Sequence, residues 1–123
     1  MVSKLNKLIE KGELSREQDD FSAALAFLDE AIIESVKLED YRSAINAIGH
    51  HLLVYDRMYK QTKNNAFLEL MYMDAQAGLR LAEKNNIHGK PLSVMLMRTA
   101  EYFLDTKDYT TAEKKYREAY DEL

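Results

Sequence analysis

Apolar residues recur at helical spacing along almost the whole chain, and that pattern leaves room for little besides α-helix. Phe21, Ala24, Leu25, Leu28, Ala31, Ile32 and Ser35 lie on one stripe, and Ala44, Ile45, Ile48, Leu52, Tyr55 and Tyr59 on a second. Phe67, Leu68, Met71, Tyr72, Ala75, Leu79 and Ala82 form a third; Leu92, Met95, Leu96, Thr99, Ala100 and Phe103 a fourth; Tyr109, Ala112, Tyr116 and Ala119 a fifth. A shorter set, Leu5, Leu8 and Ile9, precedes them. A β-rich fold needs frequent turns, and one proline with four glycines in 123 residues cannot supply them. The expectation is an all-α chain of about six helices.

The breaks between stripes carry recognisable end signals. Gly12 closes the first segment, and Ser15-Arg16-Glu17-Gln18 has the spacing of a capping box, with Asp19 or Asp20 as the other candidate start. Asp40 is a candidate N-cap after Leu38-Glu39. Gln61 to Asn65 reads as a polar loop, and Asn85 to Pro91 as a helix stop followed by a restart. Thr106-Lys107-Asp108 is the last turn. Connections this short force sequential helices to pack antiparallel. Three stacked hairpins and a compact six-helix bundle both satisfy that rule, and fusion across the weak breaks leaves a four-helix arrangement.

Charge narrows the function classes. The net charge is -4, and non-specific nucleic-acid binding needs a basic footprint. Glu13 to Asp40 holds nine acids and two bases, so the acidity sits in one segment, read as a solvated helix face or an acidic docking surface. No apolar run approaches the length of a membrane span, and MVSKLNKLIEKGEL is too polar for a signal peptide. Cysteine is absent, which removes disulfides, thiolate metal sites and a cysteine nucleophile. The cytoplasm is the expected location.

Catalytic signatures are missing. There is no G-x-x-x-x-G-K-[ST], G-x-G-x-x-G or G-x-S-x-G string. His50 and His51 are adjacent, so on a helix they point about 100° apart rather than toward one ion; one is expected half-buried and one exposed. His88 reads as a turn residue. The carboxylate pairs Asp19-Asp20, Asp29-Glu30 and Glu39-Asp40 sit where capping and solvation explain them. No enzyme, cofactor or metal site is expected. Met71, Tyr72 and Met73 are consecutive and cannot share a helix face, so at least one is expected to be exposed.

Small residues at regular places add a further pattern. Gly12 and Gly49 interrupt helical stripes, where glycine is tolerated if a neighbouring helix must come close. Ala112, Tyr116 and Ala119 alternate small, large and small within DYTTAEKKYREAYDEL. Asp20 to Ala24, with Leu28 and Ala31, repeats that arrangement, and Gly49, Leu52, Ala75, Leu79 and Ala82 supply it in the middle. This resembles the tetratricopeptide repeat, a helix-turn-helix unit ending in an A-x3-F/Y-x2-A helix. Three units cover 3–38, 39–88 and 89–123 of a single domain, although tryptophan is absent and the middle unit is stretched.

The resemblance implies stacked hairpins with a concave groove lined by the first helix of each pair. It implies a non-enzymatic module that binds a protein or peptide. In that register the groove takes Asn6, Ile9, Glu13 and Glu17 from the first unit and Asn46, His50, Leu53 and Val54 from the second. The third contributes Met97, Arg98, Glu101, Leu104 and Asp105. The first unit has Ile9 and Glu13 where family members that grip a peptide's terminal carboxylate carry clamp residues, so that ligand class is not expected. The expected ligand has apolar anchors and some positive charge, with Arg98 as the one obvious anion partner. The final helix carries Tyr116 and Tyr120 and lacks a polar closing helix. Self-association through it, into a homodimer, is the alternative function.

Overall fold

Residues 3–123 are described by a computed structural model. Met1 and Val2, the start of the stretch judged too polar for a signal peptide, lie outside the described residues. Six helices follow one another: α1 Lys4–Glu17, α2 Phe21–Lys37, α3 Tyr41–Thr62, α4 Ala66–Lys84, α5 Lys90–Asp105 and α6 Tyr109–Asp121. The described residues contain no strand, and none of the helices is long and apolar enough to cross a membrane.

One backbone device recurs at four helix ends. At the end of α1 the Asp20 N–H bonds to the Ser15 carbonyl at 2.8 Å and the Asp19 N–H to that of Arg16 at 3.0 Å. Asp40 and Glu39 do the same at the end of α2, Ile87 and Asn86 at α4, and Asp108 and Lys107 at α5. This is the Schellman pattern, which satisfies orphan carbonyls by turning one residue left-handed. Asp19, Glu39, Asn86 and Lys107 take that residue, with φ between 53° and 64°.

The aspartate that closes one helix then caps the next. Asp20, Asp40 and Asp108 accept the N–H groups of Ala23, Ser43 and Thr111 at 3.3, 3.1 and 3.2 Å. Two-residue turns of this kind reverse the chain at once, which is why neighbouring helices are antiparallel. Ser15 does not start a helix: it is buried within α1, and its carbonyl belongs to the closing turn. The start of α2 follows the alternative reading, at Asp20. Gly12 does not end α1 either, and α3 runs on through Thr62, leaving only Lys63 to Asn65 as a connection.

The helices form three hairpins, α1–α2, α3–α4 and α5–α6, stacked in order. Each helix packs on its sequential neighbour, and α3 also touches α1 and α5. Among the described residues α2 does not touch α4, α4 does not touch α6, and α1 does not reach α6. A closed bundle would bring first and last helices together, so the structure is an open stack. The helices that meet one another, α1, α3 and α5, form one layer, called the inner one, and α2, α4 and α6 form the outer one.

The main core is Ile45, Ile48 and Leu52 of α3 against Met71, Ala75 and Ala82 of α4 and Met95 of α5. Glycines admit two of the closest contacts. A Cβ on Gly12 would lie 2.6 Å from Leu28 Cγ, and one on Gly78 would lie 2.5 Å from Met95 Sδ. Met71 is fully buried while Tyr72 and Met73 are exposed, as consecutive helical positions require.

Candidate functional site

Between α3 and α5, on the inner layer, lies a cleft of about 430 Å³. Ile45, Pro91, Val94 and Met95 give it an apolar floor, and Arg42, His50, Lys90 and Arg98 surround that floor. Its size falls in the range of ligand-binding clefts, roughly 300–1,000 Å³. Gly49 keeps it open: a Cβ there would meet the Arg98 stem at 3.4 Å, an ordinary contact. Arg42, Lys90 and Arg98 form no ion pair with a carboxylate among the described residues.

This charge corrects the sequence reading. Arg98 is not the one cation there, since Arg42 and Lys90 line the cleft with it. The layers also separate charge. α1, α3 and α5 carry nine Lys and Arg against six Asp and Glu, while α2, α4 and α6 carry six against nine. The acidic segment Glu13 to Asp40 centres on α2, in the outer layer, and does not make the groove acidic.

His50 links the cleft to α1. Its Nδ1 accepts from Arg16 Nη1 at 3.4 Å, and its Nε2 lies 3.6 Å from Glu13 Oε1. Burial lowers its pKa, Glu13 opposes this, and the Arg16 and Arg98 guanidiniums add to the lowering. The ring is therefore neutral near pH 7, with the Arg16 bond fixing the tautomer.

Farther along the same helices, Asp56 of α3 meets Asp105 of α5. Asp56 Oδ1 and Asp105 Oδ2 are buried with no hydrogen-bond partner among the described residues. Two carboxylates held together cannot both ionise cheaply. Burial, then the neighbouring Asp56 carboxylate, push Asp105 up to about 8, so near neutral pH Asp105 keeps its proton. Lys60 Nζ holds the other side of Asp56 at 2.9 Å and lies 3.9 Å from Glu101. Because the unfolded chain releases the Asp105 proton near 3.8, this raised pKa lowers stability as pH climbs from about 4 to 8. Asp105→Asn is expected to flatten that slope and raise the melting temperature at pH 8 more than at pH 5. An equal change at both values would contradict a proton held on Asp105.

Of the residues anticipated for the groove, Asn46, His50 and Arg98 line the main cleft. Leu53 lines a second, smaller one with Arg16, Asp56, Arg57 and Lys60. Glu101 and Asp105 join the carboxylate cluster. Met97 and Leu104 line neither cleft. Val54 is corrected: its side chain is fully buried with Ala24 and Leu28, because it points about 100° away from Leu53. Ile9 is likewise core, packed with Leu8, Ala31 and Ala47. Asn6 and Glu17 are exposed and line neither cleft.

Arg42, Lys90, Pro91 and Val94 escaped the sequence reading. Extending the stripe one turn toward each helix start, four residues before Asn46, Val94, Met95 and Arg98, reaches them.

The adjacent histidines are also corrected, since neither is exposed. His51 faces away from the groove, between α2 and α4. Its Nε2 lies 2.9 Å from Asp29 Oδ1 and its Nδ1 2.7 Å from Asp74 Oδ2. Both nitrogens meet acceptors, so the ring is protonated in this geometry. Burial opposes the charge, but the hydrogen bonds and charges of Asp74 and Asp29 prevail and raise the pKa. His51 ties three helices together. Compared with known proteins, the chain matches no family model, no curated protein and no solved structure at a significant level.

Proposed function

We propose that the chain is a non-enzymatic, tetratricopeptide-like binding module whose inner groove holds a segment of a partner protein or a peptide. The observation that carries this reading is the open cleft between α3 and α5, with its apolar floor and unpaired cations. Two hairpins supply its walls, so a ligand there would contact both. Packing and capping account for the other charged clusters, whereas no carboxylate among the described residues pairs with Arg42, Lys90 or Arg98.

The test is to select binders from a random peptide display library on the wild-type chain, then measure them on Gly49→Leu. Leucine is a good helix former, and a Cβ at Gly49 makes only ordinary contacts with Arg98 and Met95 while the side chain extends into the cleft, so circular dichroism and the melting temperature should show a folded variant. Selected peptides should lose about tenfold or more in affinity. Binders indifferent to Gly49→Leu would refute the groove.

A second reading, self-association, has its own observation. Tyr109, Tyr116 and Tyr120 of α6 are exposed, and a shallow cleft of about 330 Å³ lies among Glu113, Tyr116, Arg117, Tyr120 and Asp121. Light scattering on the same samples separates the two readings. A constant mass near 14.3 kDa favours the module, and a concentration-dependent dimer favours assembly through α6.

A further inference from the structure

The occupant's chemistry follows from what the cleft lacks as much as from what it holds. No lining residue is a carboxylate, although the chain as a whole is acidic. Arg42 stands one turn before Asn46 on α3, and Lys90 and Arg98 stand at either end of the α5 stretch that includes Val94. Three cations therefore ring an apolar floor of Ile45, Val94 and Met95.

Guanidinium groups bind carboxylates directly and bidentately, and a cation with no internal partner loses no existing ion pair when a ligand arrives. Arg16 adds a fourth positive charge behind His50. Of the nearest carboxylates, Glu13 lies on α1, 3.6 Å from the far side of the His50 ring, and Glu101 lies beside Lys60. Asp56 pairs with Lys60 at 2.9 Å. The groove is thus cationic around the cleft and of mixed charge toward the C-terminal ends of α3 and α5, where Arg57 and Lys60 stand beside Asp56.

We propose that the groove binds an acidic protein segment in which carboxylate side chains flank one apolar residue. The apolar side chain occupies the floor over Val94 and Met95, and the flanking carboxylates pair with Arg42, Lys90 and Arg98. The inference rests on the groove reading above and adds the sign of the ligand to it. Charge complementarity selects against basic segments, since a lysine there would face three uncompensated cations.

The experiment measures fluorescence anisotropy of three labelled peptides on the full chain. All share a Gly-Ser background with a central leucine, flanked on both sides by glutamates, by glutamines or by lysines. The glutamate peptide should bind about tenfold or more tightly than the glutamine one, weaken as salt rises, and outcompete the lysine one entirely. Lys90→Glu combined with Arg98→Glu should reverse the order. Lys90 is exposed and Arg98 half-buried, and circular dichroism checks that the fold survives.

Equal binding of the three peptides, or a glutamate peptide untouched by the reversal, would overturn the proposal. A mass that rises with concentration and falls back in the reversed variant would also overturn it, because the occupant would then be a second copy presenting its acidic α2. Display-selected peptides that need an open Gly49 but carry no acids would leave the groove reading intact and refute only its charge. Peptides indifferent to Gly49→Leu would refute the groove itself.

Discussion

Replacing His51 by leucine is expected to destabilise the chain by about 3 kcal/mol near pH 6, the scale for removing one partner of a buried ion pair. The largest part of that loss falls on Asp74, which is mostly buried and bonds to His51 Nδ1 at 2.7 Å. Burial raises the Asp74 pKa even with the imidazolium present, so without the ring its carboxylate loses its main compensation. Asp29 is largely exposed and can return to water.

The effect should depend on pH with a definite sign. The folded pKa of His51 lies above its ordinary 6.5, so its contribution is complete below 6.5 and fades as pH rises through the folded value. The gap between wild type and His51→Leu should therefore narrow from pH 6 to 8.5. Urea denaturation at the two pH values measures it, and a constant gap would mean that the ring acts by packing alone. His50 acts oppositely, because its lowered pKa makes the fold lose stability as pH falls below 6.5.

The second large effect concerns how α1 and α2 interlock. Leu28 is fully buried, and its branch carbon lies where a side chain on Gly12 would begin. Leu28→Ala should cost about 3 kcal/mol through lost burial and the cavity left behind. Gly12→Ala gains roughly 1 kcal/mol of helix propensity but forces the Leu28 branch aside, and overpacking of this kind costs about 1–3 kcal/mol. A net loss is expected, since Cγ cannot swing away as a terminal atom can. The double variant should lose clearly less than the sum, because the new methyl group enters the space that leucine vacates. Chemical denaturation of the four proteins tests this, and strict additivity would show that the two residues do not share one site. Gly78 offers a contrast, for there the obstacle is the flexible thioether of Met95.

The number and order of helices were legible in the chain because they depend on local rules. Apolar period marks each helix, and Asp40 and one of the two candidates at 19 and 20 mark starts, while Thr106-Lys107-Asp108 marks the last turn. The Ser15 capping box was misread because spacing alone cannot tell which carbonyl a later N–H will take. Asp20 takes that of Ser15, and the helix ends there instead.

Stacking was legible in part. Gly12 and Gly49 marked places where side chains are kept small, but they serve different ends. Gly12 admits Leu28 into the core, whereas Gly49 opens the cleft. Leu53 and Val54 were both assigned to the groove, and only the packing of α2 against α3 decided that Val54 belongs inside.

By itself, then, the sequence determined an all-helical chain of six amphipathic segments joined by capped turns, since hydrogen bonds and hydrophobic faces within one segment need no distant partner. The tertiary structure alone decided the charge of the groove and the state of the histidines. Arg42, Lys90 and Arg98 converge, and Asp29 and Asp74 close on His51, only once separate hairpins are stacked. Periodicity states which face of a helix is apolar, but the electrostatics of a site depend on which other helix that face meets.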